Sequence, residues 1–142
     1  MRIFLSGIIQ GSRRGKNIHA QTYRDVLKDL LHRYAPDAEI ICPIDLHPNS
    51  VDYDDDQARA TFIDMVRLAQ ESDLVIAYLP EASMGTAVEM WEAHRRGVPV
   101  LTISPLAENW VVKLASRKIF PTVAAFEAFL AGGGLDQMGQ QP

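Results

Sequence analysis

Short apolar runs alternate along the chain with longer segments whose apolar residues recur every three or four positions. Five of the short runs predict strands, because each lies near Gly, Pro or Ser residues that break regular structure. They are residues 2–6, 39–42, 74–79, 98–103 and 118–120. Five longer segments predict helices with one apolar face. They are residues 20–34, 57–71, 86–96, 109–116 and 122–131. This alternation is typical of a parallel sheet covered on both faces.

The order of these elements predicts an α/β fold with a doubly wound, five-stranded parallel sheet of the flavodoxin-like type, in the strand order 2-1-3-4-5. We expect one domain over residues 1–131. Residues 132–142 begin with three glycines and lack periodicity, so they predict a loose tail. Ligands of such sheets bind beyond the carboxyl ends of the strands. The loops to consider are therefore residues 7–17, 43–54, 80–85 and 104–109.

The composition narrows the range of partners. A net charge of −4 argues against a nucleic-acid polymer or an anionic membrane as partner, since both require concentrated positive charge. Cys42 is the single cysteine, and no Cys/His cluster has metal-ligand spacing, so we expect neither a metal nor another cofactor. The chain starts without a long apolar leader and contains no stretch of membrane-spanning length. These features predict a cytoplasmic protein.

Glu89 is the main candidate for chemistry. It follows the third strand within the segment Ser83-Met84-Gly85-Thr86-Ala87-Val88-Glu89, about one turn into a predicted helix. Ser83 or Thr86 can cap the first N–H groups of that helix, and Gly85 permits close approach of a ligand. The helix dipole favours the charged form of a carboxylate there, so we expect an ionised Glu89, suited to attack an electrophilic carbon. Glu92 lies further from the helix start and is expected to be solvated.

The loop after the first strand is the second candidate site. Residues 7–16 contain the glycines Gly7, Gly11 and Gly15, together with three cationic side chains. The cations are Arg13, Arg14 and Lys16. Backbone N–H groups and cations in such a loop can hold an anion. The loop matches neither the Walker A sequence nor the Rossmann glycine pattern, so these residues alone leave a flexible basic loop equally open.

The segment Gly-Thr-Ala-Val-Glu at residues 85–89, with the flanking strands at 72–77 and 97–101, resembles the nucleoside 2-deoxyribosyltransferase family. The resemblance covers approximately residues 2–118. It implies that Glu89 attacks the anomeric carbon of a deoxyribonucleoside and forms a deoxyribosyl ester, which passes to another base or to water. Such a step follows the chemistry of retaining glycosidases.

The first loop is similar to that of the family branch that hydrolyses 2′-deoxynucleoside 5′-monophosphates. Phe4 replaces the tyrosine of that branch, whereas Gly7 and Gly11 match its glycines. Ser83 matches its phosphate-binding serine, where the transferases have an aspartate that would repel a phosphate. The resemblance thus implies substrate contacts from seven residues. They are Gly7, Ile9, Gly11, Arg13, Ser83, Gly85 and Asn109.

Asn109 matches an asparagine that the transferases contribute to the active site of a neighbouring subunit. The resemblance therefore implies a homodimer or larger assembly. Asp64 is the nearest match to an aspartate that orients the family's active site, although it lies one residue out of register. We assign it a catalytic role beside Glu89 on that basis.

These observations favour hydrolysis of a 2′-deoxyribonucleoside 5′-monophosphate, with transfer of deoxyribose between bases as the close alternative. A ribose 5′-monophosphate hydrolase of the lysine-decarboxylase-like type is disfavoured, because residues 82–86 lack the glycines of that group. A nucleotide-binding module without catalytic activity remains the alternative of another class. Phe4 and the register of Asp64 keep that alternative open.

Overall fold

The computed structural model describes residues 1–139. Its strands are β1 (Arg2–Gly7), β2 (Glu39–Ile41), β3 (Leu74–Tyr78), β4 (Val100–Ile103) and β5 (Lys118–Phe120). Its helices are α1 (Thr22–Tyr34), α2 (Pro43–Leu46), α3 (Asp55–Gln70), α4 (Met84–Arg95), α5 (Trp110–Ala115), α6 (Val123–Ala131) and α7 (Gly134–Gly139). All strand pairs are parallel, and the order is β2-β1-β3-β4-β5, so the predicted fold class is confirmed.

The sheet separates two hydrophobic cores, as its alternating side chains require. Ile3 and Leu5 of β1 face α1 and α6, where they pack with Leu27 and Phe126. Residues of the opposite parity face the other way, and Phe4 packs there among buried side chains of α3, α4 and α5. Phe4 is fully buried. Its ring therefore belongs to the core.

The length difference between β1 and β2 determines where the site lies. β1 pairs with β3 along Ile3 to Gly7, but it pairs with β2 only as far as Phe4. The last part of β1 therefore has no strand neighbour on the β2 side. The chain after β2 turns away into α2 and a single 3₁₀ turn at Ser50–Asp52, both of which lie in the predicted loop 43–54. Pro43 at the first turn suits helix α2, since proline lacks the N–H that such a position leaves unpaired.

The prediction of a loose tail from residue 132 does not hold for residues 134–139. They form α7, because Leu135 is buried against the core shared with Phe129 and Leu130. Gly133, at φ +73°, allows the tight turn that joins α6 to α7. The rest of the predicted tail, residues 140–142, lies outside the described residues. Within residues 1–139, no helix combines the length and apolar character that crossing a membrane requires.

Candidate active site

A cavity of about 440 Å³ opens at the carboxyl end of the sheet. Four parts of the chain enclose it: the loop after β1, the segment from Pro43 to Tyr53, one face of α3 and the first two turns of α4. This is the position at which doubly wound sheets bind ligands. The short β2 contributes to the space, because no strand fills the area beside the end of β1.

Glu89 lines the cavity from the second turn of α4 and is half-buried. The Ser6 hydroxyl, at the end of β1, donates a hydrogen bond to Glu89 Oε2. Burial raises the pKa of Glu89 from 4.5 to about 7, although the Ser6 hydrogen bond and the Arg24 charge lower it. The expectation of a fully ionised Glu89 at neutral pH is therefore wrong. Loss of hydration outweighs the favourable position near the helix start.

The start of α4 is arranged as the sequence predicts. The Ser83 side chain caps the helix by accepting from the Thr86 backbone N–H, and its oxygen lies 3.0 Å from the Thr86 hydroxyl. Ser83, Gly85 and Thr86 all line the cavity. An added Cβ at Gly85 would meet nothing within 4 Å, so this glycine leaves open space above the helix start. An anionic group can approach the N-terminus of α4 there.

The loop after β1 contributes its backbone to the cavity. Gly7, Ile9, Gly11 and Gly15 line it, and Gly11 has a φ of +58° that disfavours any residue with a side chain. Gly7 is required for another reason. A Cβ there would lie 2.4 Å from the Tyr23 hydroxyl oxygen, too close for any real contact.

Two of the three cations of this loop, Arg13 and Lys16, bind groups outside the cavity. Arg13 donates to the Ile18 carbonyl oxygen at 2.7 Å, and Lys16 pairs with Asp52 at 2.6 Å. Arg13 is not among the residues that line the cavity, contrary to the substrate contact predicted for it. Within residues 1–139, the cavity lining contains no Lys or Arg side chain. Arg13 thus stabilises the shape of the loop, and Lys16 links the loop to the 3₁₀ turn at Ser50–Asp52.

Asp64 and Asn109 do not line the cavity that contains Glu89. Asp64 accepts from Arg67, one turn along α3, at 2.5 Å and forms a surface ion pair. The structure therefore does not bring it to Glu89, because its helical position faces away from the lining residues of α3. Asn109 caps α5 by accepting from the N–H groups of Val111 and Val112. It lines an adjoining cavity of about 280 Å³, whose wall also includes Ser83 and Met84.

The candidate loop 43–54 contributes a polar pair to the lining of the main cavity. His47 Nδ1 lies 2.9 Å from the Tyr53 hydroxyl oxygen, and the two rings meet edge to face. Apolar side chains line the same cavity. They are Ile44, Val51, Phe62 and Met65. A flat, partly polar ring fits such a wall.

Ser6 and Arg24 are further residues that sequence reasoning missed. Ser6 is a polar residue in an otherwise apolar strand, and this break in the pattern was the available signal. Arg24 lies on the buried side of α1 with 2% of its surface exposed. A cation within an apolar helical stripe was the corresponding signal. No group of three or more metal-ligating side chains occurs within residues 1–139.

No protein-family model matches the sequence, and no curated protein matches it significantly. Solved structures are similar to it. A 2-deoxyribosyltransferase from the psychrotolerant bacterium Bacillus psychrosaccharolyticus matches with a TM-score of 0.67 at 16% identity, over 92% of this chain and 96% of that one. The chain has the fold of that 2-deoxyribosyltransferase.

Two further structures accompany this match. A conserved protein from Enterococcus faecalis V583 has a TM-score of 0.61 at 15% identity, over 92% of this chain and 97% of that one. The CMP N-glycosidase BcmB of Clostridium botulinum has a TM-score of 0.49 at 18% identity, over 92% and 98%. The last score is too low to establish a common fold. The first two confirm the fold that the resemblance at residues 85–89 implied.

Proposed function

We propose that this chain cleaves the N-glycosidic bond of a 2′-deoxyribonucleoside 5′-monophosphate and releases the base. The observation that carries the proposal is the position of the Glu89 carboxyl group in the cavity and its hydrogen bond from Ser6. This carboxyl group lines the cavity, and the Ser6 hydroxyl donates a hydrogen bond to Oε2 that restrains its orientation. A partly desolvated carboxylate held in one orientation is suited to attack an electron-poor carbon.

In the proposed reaction, Glu89 Oε1 forms a bond to the anomeric carbon as the bond between that carbon and the base nitrogen breaks. The electron pair of the broken bond leaves with the base, which takes up a proton from solvent; the water that attacks in the second step returns one proton to solvent. Positive charge develops on the sugar in the transition state, and the ionised Glu89 stabilises it at short range. Water then attacks the ester, releases the deoxyribose 5-phosphate and restores the carboxylate.

The phosphate is proposed to lie at the start of α4. Ser83 and Gly85 at the helix start line the cavity together with Gly11 and Gly15 of the first loop. The helix N-terminus and free loop N–H groups favour an anion, and the Ser83 hydroxyl can donate to it. The base is proposed to lie against Phe62 and the pair of His47 and Tyr53.

A product analysis tests the proposal directly. The protein is incubated with a panel of deoxynucleosides and their 5′-monophosphates, with and without a second base, and products are separated by chromatography. We expect free base from monophosphates without any acceptor. Because charge-assisted hydrogen bonds contribute about 1.5–3 kcal/mol each, kcat/KM should favour a monophosphate over its nucleoside by about tenfold or more. Absence of base release from every substrate would favour a binding module without activity.

Transfer of deoxyribose between bases is the second candidate, and one observation favours it. The lining formed by residues 1–139 supplies no Lys or Arg to balance a phosphate. If the protein prefers unphosphorylated deoxynucleosides and reacts only when an acceptor base is present, the hydrolase proposal is wrong and the transferase takes its place.

Ser83→Asp is expected to reduce the preference for the monophosphate by at least about tenfold. Aspartate caps a helix as well as serine does, so α4 should remain intact, while its charge repels the phosphate. The ratio of kcat/KM between a monophosphate and its nucleoside measures the effect. Ser83→Asn is the matched control, since asparagine caps equally well without charge and should retain most of the preference. Equal ratios in both variants would contradict a phosphate at Ser83.

We also propose that the active species is at least a dimer, with Asn109 near the site of a neighbouring copy. Exposed apolar side chains on α4 and α5 support this assembly, because exposed apolar surface favours contact with another protein surface. They are Met84, Val88, Trp91, Trp110 and Leu114, of which Met84 is 83% and Trp110 80% exposed.

Light scattering is expected to give at least twice the chain mass, and Trp110→Glu should lower the mass and the activity together. A charge on this surface would have to lose its hydration on assembly. Ile63→Glu, on the exposed side of α3, is the matched control and should change neither. A fully active monomer at the assay concentration would refute the shared site and leave Asn109 as a helix cap.

A further inference from the structure

Arg24 is a buried cation whose described hydrogen-bond partners are neutral. Its guanidinium donates to the carbonyl oxygens of Leu5 at 3.0 Å and Gly7 at 3.1 Å, and to the Gln21 side-chain oxygen at 2.8 Å. It also lies 3.9 Å from Cys42 Sγ and 5.0 Å from the centre of the Tyr23 ring, which are neutral groups as well. Removing a charge from water costs free energy that neutral oxygens recover only in part. The burial of the Arg24 charge among neutral partners therefore needs a further electrostatic explanation.

The geometry of β1 explains the hydrogen bonds but not the charge. Beyond Phe4, β1 has no strand partner on the β2 side, so the carbonyl groups of Leu5 and Gly7 need other donors. Arg24 reaches them from α1, past the end of β2. Neutral donors can satisfy carbonyl groups equally well, as Tyr23 and Gln21 do for the carbonyl of Ile8. Satisfying the strand end therefore does not by itself require a cation.

The two carbonyl groups that Arg24 binds flank Ser6. Ser6 donates to Glu89 Oε2 from the other face of the sheet, where its side chain points together with that of Phe4. Arg24 thus fixes the peptide group that precedes Ser6 and the one that follows Gly7. Its charge lies on the opposite side of β1 from the Glu89 carboxyl group. Its positive charge lowers the pKa of Glu89, against the burial that raises it.

We propose that Arg24 is a positioning residue, which holds Ser6 on Glu89 and supplies the buried positive charge that keeps the carboxylate form of Glu89 accessible at neutral pH. Arg24 acts through Ser6 and through its field across β1, without contacting a substrate. The inference rests on the proposed role of Glu89 for its catalytic meaning, but the electrostatic relation between the two residues can be measured without any turnover.

Other charged or titratable groups near Glu89 do not supply this charge. Tyr23 of α1 stacks on Tyr78 of β3, with ring centroids 4.3 Å apart, and burial raises the pKa of Tyr23 so that it stays neutral. Charged side chains on or beside α3, α4 and α5 form ion pairs at the surface, and three of these pairs involve acids next to the helices around Glu89. These pairs are Asp64 with Arg67, Glu92 with Arg95, and Glu108 with Lys113.

The test measures the pKa of Glu89 by ¹³C NMR of carboxyl-labelled protein, with Glu89→Gln identifying the resonance. Arg24→Met and Arg24→Gln are expected to raise this pKa by at least about one unit, because both remove the charge. Arg24→Gln keeps donors for the strand end and serves if the methionine variant does not fold. Arg24→Lys keeps the charge and should leave the pKa within about half a unit of the wild-type value.

Tyr23→Phe is the matched control for structural loosening. It removes a hydrogen bond to the Ile8 carbonyl beside the same strand end but no charge, so it should lower thermal stability and leave the Glu89 pKa unchanged. In enzyme assays, the acidic limb of the kcat/KM profile should move with the NMR value in each Arg24 variant, with KM nearly constant.

Two results would overturn the inference. One is a folded Arg24→Gln protein with the wild-type Glu89 pKa, and the other is an Arg24→Lys protein whose pKa rises as far as that of Arg24→Gln. If the pKa moves as expected while the wild type releases no base from any substrate, the proposed function fails and the electrostatic role of Arg24 stands. The titration therefore tests the role of Arg24, the product analysis tests the proposed function, and the result of one does not determine the result of the other.

Discussion

Glu89→Gln is expected to lower kcat/KM for base release by at least about three orders of magnitude while leaving the fold intact. Glutamine keeps the shape of the side chain and can still accept from Ser6, but its amide oxygen is a poor nucleophile and carries no charge to stabilise the developing cation. Loss of both contributions accounts for the size of the effect. Single-turnover assays with chromatographic detection of the base measure it.

Glu92→Gln is the matched control, because it makes the same chemical change one turn further along α4. Glu92 pairs with Arg95 and accepts from Gln70, away from the cavity lining. Its replacement should cost less than about twofold, as expected for a surface ion pair. A Glu89→Gln protein with wild-type activity would rule out the covalent mechanism.

The second large effect concerns pH. With a Glu89 pKa of about 7, kcat/KM is expected to fall about tenfold for each pH unit below 7, because only the carboxylate attacks. The assay should use an unphosphorylated deoxynucleoside in parallel, since a phosphate titrates near pH 6 as well. An acidic limb centred near 4.5, the usual value for a glutamate, would contradict a desolvated nucleophile.

The free energy of unfolding should change with pH in the direction opposite to that of kcat/KM. The folded state binds a proton at Glu89 up to about pH 7, whereas the unfolded chain releases it near pH 4.5. Between these values the folded state holds more protons, so the free energy of unfolding falls as pH rises. The loss should reach at most about 3 kcal/mol above pH 7. Denaturant unfolding of wild type and Glu89→Gln across this window measures it, and parallel curves would contradict the raised pKa.

The fold and the position of the site were predictable because they depend on patterns that sequence carries directly. Buried parallel strands give short apolar runs, and their order leaves few possible topologies. Glu89 follows from its place at the start of a helix after β3. The raised pKa of Glu89 could not be predicted from the sequence. It comes from desolvation, which depends on how closely the loop after β1 and helix α3 cover the carboxyl group, and such packing is not visible in a sequence.

Several side chains lie where the sequence did not indicate, and each case has its own physical reason. Arg13 and Lys16 are long, flexible cations, and their charge alone does not show whether they bind a ligand or their own loop. Asp64 lies one position from Met65, which lines the cavity, and a shift of one residue turns a helical side chain by about 100°. Arg24 escaped notice because its partners are backbone carbonyl groups, which every sequence contains.

Because β2 is short, the segment that follows it is separate from the elements that hold Glu89. The sequence of that segment can therefore vary without a change in those elements. Base contacts are proposed for the segment that follows β2, whereas the proposed chemistry lies on β1, α1 and α4. Insertions or substitutions in residues 43–54 can therefore reshape the recognition surface without disturbing the Ser6–Glu89 contact. A library confined to this segment offers a route to enzymes of altered base preference, and natural variation in substrate range should concentrate in it for the same reason.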